Sequence, residues 1–337
     1  MSKVRYILKR LLLMLLTLFI IFTLCFVLIK SLPQPAPEGN AEQVRIELER
    51  RELLGYNKPI MEQYFIYLRN ILRGSFGVSW RIESGRDVAS VLFSRIPPTL
   101  IINLLALLLA LPTGLLLGIF AALKKDKWQD RAVMLGVMLL ISVPSYVYAF
   151  LLQYVLYYKA GLFPPVIYSA ADAASALGVN YSSDGGLSIW LSYPMLYSMT
   201  LPVLCLSLGT AASLARFVRA ELVQALGAEY MLFAKAQGLS RWRAVTRHAM
   251  RNALVPVLPM LIGEFASVLS GSLIIERIFG VPGVGALYLT SVQQLDYDVF
   301  LFVSMFYTFI SLFASVLVDI SYGFIDPRMA VGVKNEQ

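Results

Sequence analysis

A cluster of basic side chains is the part of this sequence best suited to act on a partner. Residues 234–252 read AKAQGLSRWRAVTRHAMRN and hold no acidic residue, but five basic ones: Lys235, Arg241, Arg243, Arg247 and Arg251. The only histidine of the chain, His248, lies among them. Such a cluster could be a topology signal, could meet anionic membrane lipid, or could bind another protein.

Sequence signatures of catalysis are missing from the chain. It has no G-x4-G-K-[ST] phosphate loop, no H-E-x-x-H and no G-x-S-x-G, so any ATP would be hydrolysed by a partner. Its two cysteines, Cys25 and Cys205, fall in apolar runs and are expected to be packing residues. The sequence predicts a chain that is not an enzyme, with no catalytic residue, no metal site and no cofactor of its own.

The composition indicates an integral membrane protein. Of 337 residues, 58% are hydrophobic and 15% charged, whereas soluble domains carry about 25% charged residues. A membrane-spanning helix needs about 20 apolar residues. Six runs qualify, which predicts an all-α bundle of six transmembrane helices: Leu11–Ile29, Ile96–Leu123, Ala132–Tyr158, about Tyr193–Ala215, Ala253–Ile275 and Val299–Val318.

The distribution of charge predicts the topology. Basic residues concentrate before the first run, in the link 124–131 and in the cluster at 234–252, whereas residues 160–192 and 278–298 contain aspartates and no Lys or Arg. Because short cytoplasmic loops are enriched in Lys and Arg, both termini are expected in the cytoplasm. The net charge of +8 is then largely topology, and nucleic acid is not an expected partner.

Four regions follow from this pattern. Residues 1–30 form a cytoplasmic tail and the first transmembrane helix, 31–95 a small extracytoplasmic domain, 96–325 the transmembrane core, and 326–337 a cytoplasmic tail. In the second region, QVRIELERRELLG and KPIMEQYFIYLRNILRG predict two amphipathic helices that stop at Gly55 and Gly74. Ile60, Tyr64, Tyr67, Leu68 and Ile71 have helical spacing.

Residues 220–251, called the elbow below, are expected to form two helices joined by a turn. Ala220–Gln237 can run as a helix that Gly238 stops, and Ser240 can cap the next one. In this second helix the spacing puts Arg243, Arg247 and Arg251 on one stripe. Another face is expected to contain Trp242, Val245 and Ala249.

The elbow sequence resembles the EAA cytoplasmic loop of binding-protein-dependent ABC importers, in its oligopeptide/dipeptide permease form. The pattern is Y-x3-A-x-A-x-G-L-S-x4-V-x2-H-A-x-R-N-A-L-x-P, from Tyr230 to Pro256. LLGYNKPIMEQYFIYL, RIPPTL, GSLIIERIFGVPGVGALYLTSVQQLDYDVF and VDISYGFIDPRM also match stretches typical of the B-type permease subunit. SLPQPAPEG departs from the family's usual Pro-Gly-Asp-Pro, and Leu232-Phe233 replace a more polar pair.

The resemblance implies a type I ABC importer permease fold in a bacterial plasma membrane, with the elbow docked on an ATPase subunit. The implied partners are a second, different permease subunit, two ATP-binding subunits that hold ATP and Mg, and an extracytoplasmic binding protein that delivers short peptides. A nickel-chelate or other small-solute importer is the alternative within the family; a proton-coupled carrier or a passive channel is the alternative outside it. The implied coupling residues are Ala234, Gly238, Leu239, Ser240, Arg243, Arg247 and His248.

Other positions have two open interpretations each. Glu264 is the one acid in the middle of an apolar run and is expected to line either the pathway or a subunit interface. Pro144, in SVPSY, is expected either to kink the third span or to mark its entry into a cavity with a role in transport. Arg216 and Arg219 end the fourth span and can snorkel to the interface. The segment ERIFGVPGVG is either an external gate or an ordinary extracellular turn, through Glu276, Phe279, Pro282, Gly283 and Gly285.

Overall fold

A computed structural model describes residues 3–33, 36–37, 39–53, 55–178 and 187–325. They are mainly helical, and an isolated antiparallel bridge joins Val78 and Asp87. The helices are α1 (Lys3–Lys30), α2 (Ala41–Leu53), α3 (Ile60–Leu72), α4 (Val88–Leu123), α5 (Trp128–Ser142), α6 (Ser145–Leu152), α7 (Ala170–Ala176), α8 (Leu187–Trp190), α9 (Tyr193–Ser198), α10 (Thr200–Leu226), α11 (Glu229–Ala236), α12 (Arg241–Ala244), α13 (Met250–Leu254), α14 (Val257–Ser267), α15 (Leu273–Ile278), α16 (Val284–Gln293) and α17 (Tyr297–Ile325). Two π-helical stretches, Gln153–Lys159 and Val245–Ala249, and a 3-10 turn, Val268–Ser270, continue α6, α12 and α14.

The described residues include five helical stretches that are long and apolar enough to cross a membrane. A bent pair, α5 with α6 and its π-helical continuation, makes a sixth when it is counted as one broken span. The chain is therefore a multi-pass, all-helical membrane protein, and the six spans expected from the sequence agree with that count. The five are Arg5–Lys30, Val88–Leu123, Thr200–Leu226, Val257–Ile278 and Tyr297–Ser321.

The kink expected at Pro144 is confirmed and is large. α5 ends at Ser142, Val143 is extended, and Pro144 precedes the first residue of α6. The axes of the two helical stretches differ by 104°. Proline lacks a backbone N–H and disfavours helical backbone in the residue before it, which accounts for the extended Val143.

The chain divides into two compact units. Unit 1 comprises the described residues of Met1–Pro97 together with Pro282–Phe313, and unit 2 comprises those of Pro98–Val281 and Ala314–Gln337. α4 and α17 contribute residues to both units. The four regions drawn from the sequence remain predictions, since they rest on position relative to a membrane.

In unit 1, α3 packs its aromatic face on α1. Tyr64 and Tyr67 are buried against Phe22 and Phe26, and the Tyr64 hydroxyl lies 2.7 Å from that of Thr23. All five residues with predicted helical spacing belong to this cluster. Beyond the ends of α2 and α3, Gly55 (φ +77°) and Gly74 (φ +80°) adopt the left-handed backbone expected of helix stops.

A buried ion pair joins the end of α1 to the start of α17. Lys30 Nζ lies 3.2 Å from Asp298 Oδ1, and both side chains are 3% exposed. The Tyr56 hydroxyl donates to the other oxygen of Asp298, and the Lys30 ammonium lies 3.7 Å from the centre of the Tyr56 ring. Burial, and then the charge of Asp298, raise the pKa of Tyr56 well above its usual value, so that the phenol stays protonated and donates.

Asp296 organises the segment that precedes α4. Its Oδ2 accepts a hydrogen bond from Ser79 Oγ at 2.7 Å and from three successive backbone N–H groups, those of residues 80, 81 and 82, at 3.0–3.2 Å. Four donors on one oxygen hold this turn in place, because a buried carboxylate is stable only when it is well hydrogen-bonded. Asp296 and Asp298 are thus buried structural residues as well as acids in a segment assigned to the outside.

In unit 2, α4 and α10 approach each other closely. The sequence GLLLG puts Gly114 and Gly118 one turn apart, facing Ala211 and Ala215 of α10. A Cβ added at Gly118 would lie 2.7 Å from the Ala215 carbonyl oxygen, and one at Gly114 would lie 2.8 Å from that of Ala211. Small residues at this spacing let helix backbones pack tightly where lipid provides no hydrophobic driving force.

We expect Gly118→Ala to destabilise unit 2 and Gly136→Ala to leave it unchanged or slightly stabler. The new methyl group at position 118 would overlap the α10 backbone, at a cost of about 1–3 kcal/mol. Gly136 lies in α5 with open space around its Cβ position, so alanine gains helix propensity there. In a Cys25→Ala background, thermally induced labelling of the buried Cys205 thiol reports the melting temperature. Equal melting temperatures for the two variants would contradict the close packing.

Candidate functional site

The elbow contains one break more than the sequence predicted. α10 ends at Leu226, Gly227 and Ala228 form a turn, and α11 begins at Glu229. The single helix expected over Ala220–Gln237 is therefore wrong. Gly227 keeps helix-like backbone, but a glycine weakens helix continuation, and the acidic Glu229 suits the N-terminus of a new helix.

The predicted turn at Gly238 and the predicted cap at Ser240 are both confirmed. Gly238 has φ +79°, and the N–H of Leu239 donates to the Ala234 carbonyl at 3.2 Å, which closes α11 as glycine-terminated helices commonly close. Ser240 Oγ accepts from the N–H of Arg243 at 3.4 Å. No atom lies within 4 Å of a Cβ added at Gly238, so its backbone angle, and not space, requires glycine there.

A seam of small residues attaches α11, α12 and α13 to the ends of α4 and α10. Ala234 is 3% exposed, and Leu239 is half-buried beside it. Small side chains allow the elbow helices to lie close to the helices that carry them. We call these residues the alanine seam: Ala122 of α4, Ala225 of α10, and Ala234, Ala244, Ala249 and Ala253 of the elbow and its continuation.

Large side chains occupy the outside of the elbow. Leu232 and Phe233 are each 66% exposed and Trp242 is 68% exposed. Arg243 and Arg247 are exposed and His248 is half-buried. The outer face of the elbow is the name used below for the five exposed residues: Leu232, Phe233, Trp242, Arg243 and Arg247. Three large apolar side chains among cations form a surface suited to contact with another protein.

Trp242, Val245 and Ala249 were expected to share one face of the second elbow helix, and this prediction is wrong for Trp242. Val245 and Ala249 are buried and Trp242 is not. The π-helical stretch Val245–Ala249 has a wider turn than an α-helix. The buried side therefore centres on Ala244, Val245 and Ala249, and Trp242 is left outside.

Arg219 does not stand free at the end of a span as a snorkelling residue would. Its Nε and Nη2 donate to Oδ1 and Oδ2 of Asp130, at 2.5 Å and 2.6 Å. Asp130 is 3% exposed and lies in the first turn of α5. Sequence reasoning missed this pair; the two acids among the basic residues of the 124–131 link, Asp126 and Asp130, were the available signal.

Glu264 lies in α14 and is half-buried. Within the described part of the chain its carboxylate has no hydrogen bond or ion pair, and its carbonyl accepts from Ser267 Oγ at 2.8 Å. The prediction of a pathway or interface role therefore stays a prediction.

The five residues of the expected gate fall into the two compact units. In unit 2, Glu276 is buried and accepts a hydrogen bond from Thr99 Oγ1 at 2.9 Å, and the carbonyl of the buried Phe279 accepts from the N–H of Ile167 at 2.9 Å. In unit 1, Pro282 and Gly283 precede α16, and Gly285 is buried in its first turn. These residues form two helix ends and a turn; their gating role stays a prediction.

The elbow combines a buried inner side with an exposed outer side. Its described residues include no cluster of three or more His, Cys, Asp or Glu placed to hold a metal ion. What the elbow provides is a short, capped pair of helices with a buried seam on one side and an outer face on the other.

Comparison with known proteins places these features in a family. Residues 114–331 match the inner membrane component of binding-protein-dependent transport systems, and residues 3–102 match the N-terminal part of such membrane components. The chain is 35% identical over 333 residues to the dipeptide transport system permease protein of Bacillus subtilis (strain 168), with 98% of this chain and 99% of the relative covered. It is 33% identical over 330 residues to the glutathione transport system permease protein of Escherichia coli (strain K12), with 96% and 98% covered. A crystal structure of an amino acid ABC transporter with histidines aligns with 69% of this chain and 92% of its own, at TM-score 0.46 and 19% identity.

Gly238→Ala is expected to loosen the elbow locally. Left-handed backbone costs an L-residue about 1–2 kcal/mol, so amide hydrogens of α11 and α12 should exchange roughly tenfold faster in hydrogen–deuterium exchange mass spectrometry. Gly227→Ala is the matched control, because Gly227 has an ordinary φ of −88°. Equal exchange in the two variants would show that the turn does not depend on the glycine.

Proposed function

Because the chain belongs to the family of inner membrane components of binding-protein-dependent transport systems, we propose that it is one transmembrane subunit of an ATP-driven importer of short peptides. It forms half of the translocation pathway in a bacterial plasma membrane. A second permease subunit of different sequence forms the other half. The names of the dipeptide and glutathione permeases to which it is similar support this class of cargo.

The observation that carries the proposal is the outer face of the elbow. Leu232, Phe233 and Trp242 would remain in water in a chain that acted alone, although burying such side chains is worth about 1.5–3 kcal/mol each. An ATP-binding subunit that covers this face satisfies the apolar side chains, and its acidic groups can pair with Arg243 and Arg247. The alanine seam then carries movement of the docked subunit into α4 and α10.

Energy enters through the partners in this proposal. Two ATP-binding subunits hold ATP and Mg, and their closure moves the elbow of each permease subunit. An extracytoplasmic binding protein delivers the peptide on the opposite side of the membrane, and the chain has its N- and C-termini in the cytoplasm. The pathway then opens alternately to each side, as a shift between two populated states.

The test is to purify the chain from its native membrane and identify its partners. A tag at the C-terminus and mild detergent extraction should recover a second permease and ATP-binding subunits with P-loop sequences. The purified assembly in liposomes should take up a labelled dipeptide only with ATP and the binding protein. Recovery of the chain alone, or uptake driven by a proton gradient without ATP, would overturn the proposal.

The pair of changes Phe233→Ala and Trp242→Ala is expected to release the ATP-binding subunits. Removing two exposed aromatic anchors from a docking surface should weaken binding by at least about tenfold, which is about 1.4 kcal/mol. The amount of ATP-binding subunit that co-purifies per permease measures the loss. Phe65→Ala is the matched control, since Phe65 is 63% exposed on α3 and outside the elbow. Equal recovery from both proteins would place the docking surface elsewhere.

A further inference from the structure

One carboxylate joins three parts of unit 2. Asp130 receives two hydrogen bonds from Arg219 of α10 and a third, at 3.1 Å, from the backbone N–H of Asp126 in the turn that follows α4. Asp126 itself has a left-handed backbone, with φ +65°. The turn after α4, the first turn of α5 and one side of α10 are therefore fixed to the same side chain.

Nothing else between α5 and α10 gives such a fixed geometry. In the described residues, the other contacts between these helices are apolar, through Val137 against Ala212 and Ala215. Apolar contacts are not directional and permit small sliding movements. The paired hydrogen bonds from the planar guanidinium to the carboxylate fix both distance and orientation.

The position of the pair connects the elbow to the broken span. Arg219 lies one turn before Leu222 and two turns before Ala225, and both of these residues pack against α11, α12 and α13. On the other side, Asp130 begins α5, which leads to the 104° bend at Pro144. A movement of the elbow would therefore reach α10 through packing, and the pair is the polar connection between α10 and α5.

We propose that Asp130 and Arg219 are positioning residues that make α5 move with the elbow, so that the pair couples ATP hydrolysis to rearrangement of the broken span. This inference rests on the proposed importer function. The pair acts on transport through α5 and does not itself contact ATP or cargo. A pair that served only stability would affect the amount of folded protein but not the work done per ATP.

Single and double substitutions separate these roles. Asp130→Asn leaves the Arg219 guanidinium without a carboxylate, and Arg219→Met leaves the Asp130 carboxylate without a guanidinium. Each single variant should therefore reduce assembly. The double variant combines Asp130→Asn with Arg219→Met and so removes both charges. It keeps an amide oxygen for the N–H of Asp126 and an unbranched side chain at position 219. It should restore assembly, because no buried charge is left without a partner, but it cannot restore the fork of hydrogen bonds.

The decisive quantity is the amount of labelled dipeptide taken up per ATP hydrolysed, measured per assembled complex in liposomes. We expect the double variant to assemble and hydrolyse ATP as the wild type does, with at least a tenfold lower ratio of uptake to hydrolysis. Arg131→Gln is the control, since it removes a neighbouring exposed cation and should keep the wild-type ratio. A double variant with the wild-type ratio would overturn the proposal.

A second readout does not depend on cargo. Spin labels at the exposed positions Trp128 on α5 and Gln224 on α10, in a chain without Cys25 and Cys205, report the separation of the two helices with and without ATP and vanadate. The separation should be the same in both states when the pair is intact and should differ between them in the double variant. A separation that changes equally in both proteins would overturn the proposal. Absence of dipeptide uptake by the wild type would refute the peptide cargo, while this measurement would still test the link.

Discussion

The tight contact between the α4 and α10 backbones is the constraint on which unit 2 depends. Gly114 and Gly118 leave room for the carbonyls of Ala211 and Ala215 to approach at distances that a side chain would prevent. Lipid is as apolar as leucine, so helices in a membrane associate through dispersion contacts at short range. The same stretch of α10 receives α5 through Ala212 and Ala215. The small residues of α10 therefore allow both α4 and α5 to pack closely against it.

The elbow continues this arrangement beyond the apolar spans. Its alanine seam packs on the last turns of α4 and α10, so the position of the elbow is set by these two helices. A soluble domain usually buries its large apolar side chains, whereas here small ones are inside and Leu232, Phe233 and Trp242 are outside. This inversion fits the proposed docking of an ATP-binding subunit on the outer face.

Features decided by local backbone chemistry could be read from the sequence. The apolar runs, the break at Pro144, and the stops at Gly55, Gly74 and Gly238 depend on a few consecutive residues, and the structure has them where they were expected. The roles of Asp130, Asp296 and Asp298 could not be read in this way. Their side-chain partners are more than 80 residues distant in the chain, and no local pattern identifies a partner at that separation.

The same distinction between local backbone chemistry and distant contacts explains the errors within the elbow. A glycine such as Gly227 is tolerated in many helices, so its effect depends on what the following residues contact. The exposure of Trp242 depends on the wider turn of the π-helical stretch that follows it, which its spacing in the sequence does not indicate. The assignments of Arg219 to a snorkelling position and of Asp296 and Asp298 to an outside segment were incomplete for a related reason. Charge indicates a side of the membrane, but not whether a group is buried.

The pairing of Lys30 with Asp298 has a consequence for biosynthesis. The two residues are 268 positions apart, and ribosomes add residues at about 5–20 per second. α1 is therefore inserted well before α17 exists, and the ammonium group at its end must stay hydrated during that interval. Unit 1 cannot close around it until nearly the whole polypeptide has been translated. A nascent chain that stops before α17 would therefore carry Lys30 without its carboxylate partner, and the cluster that α1 forms with α3 would lack Leu301.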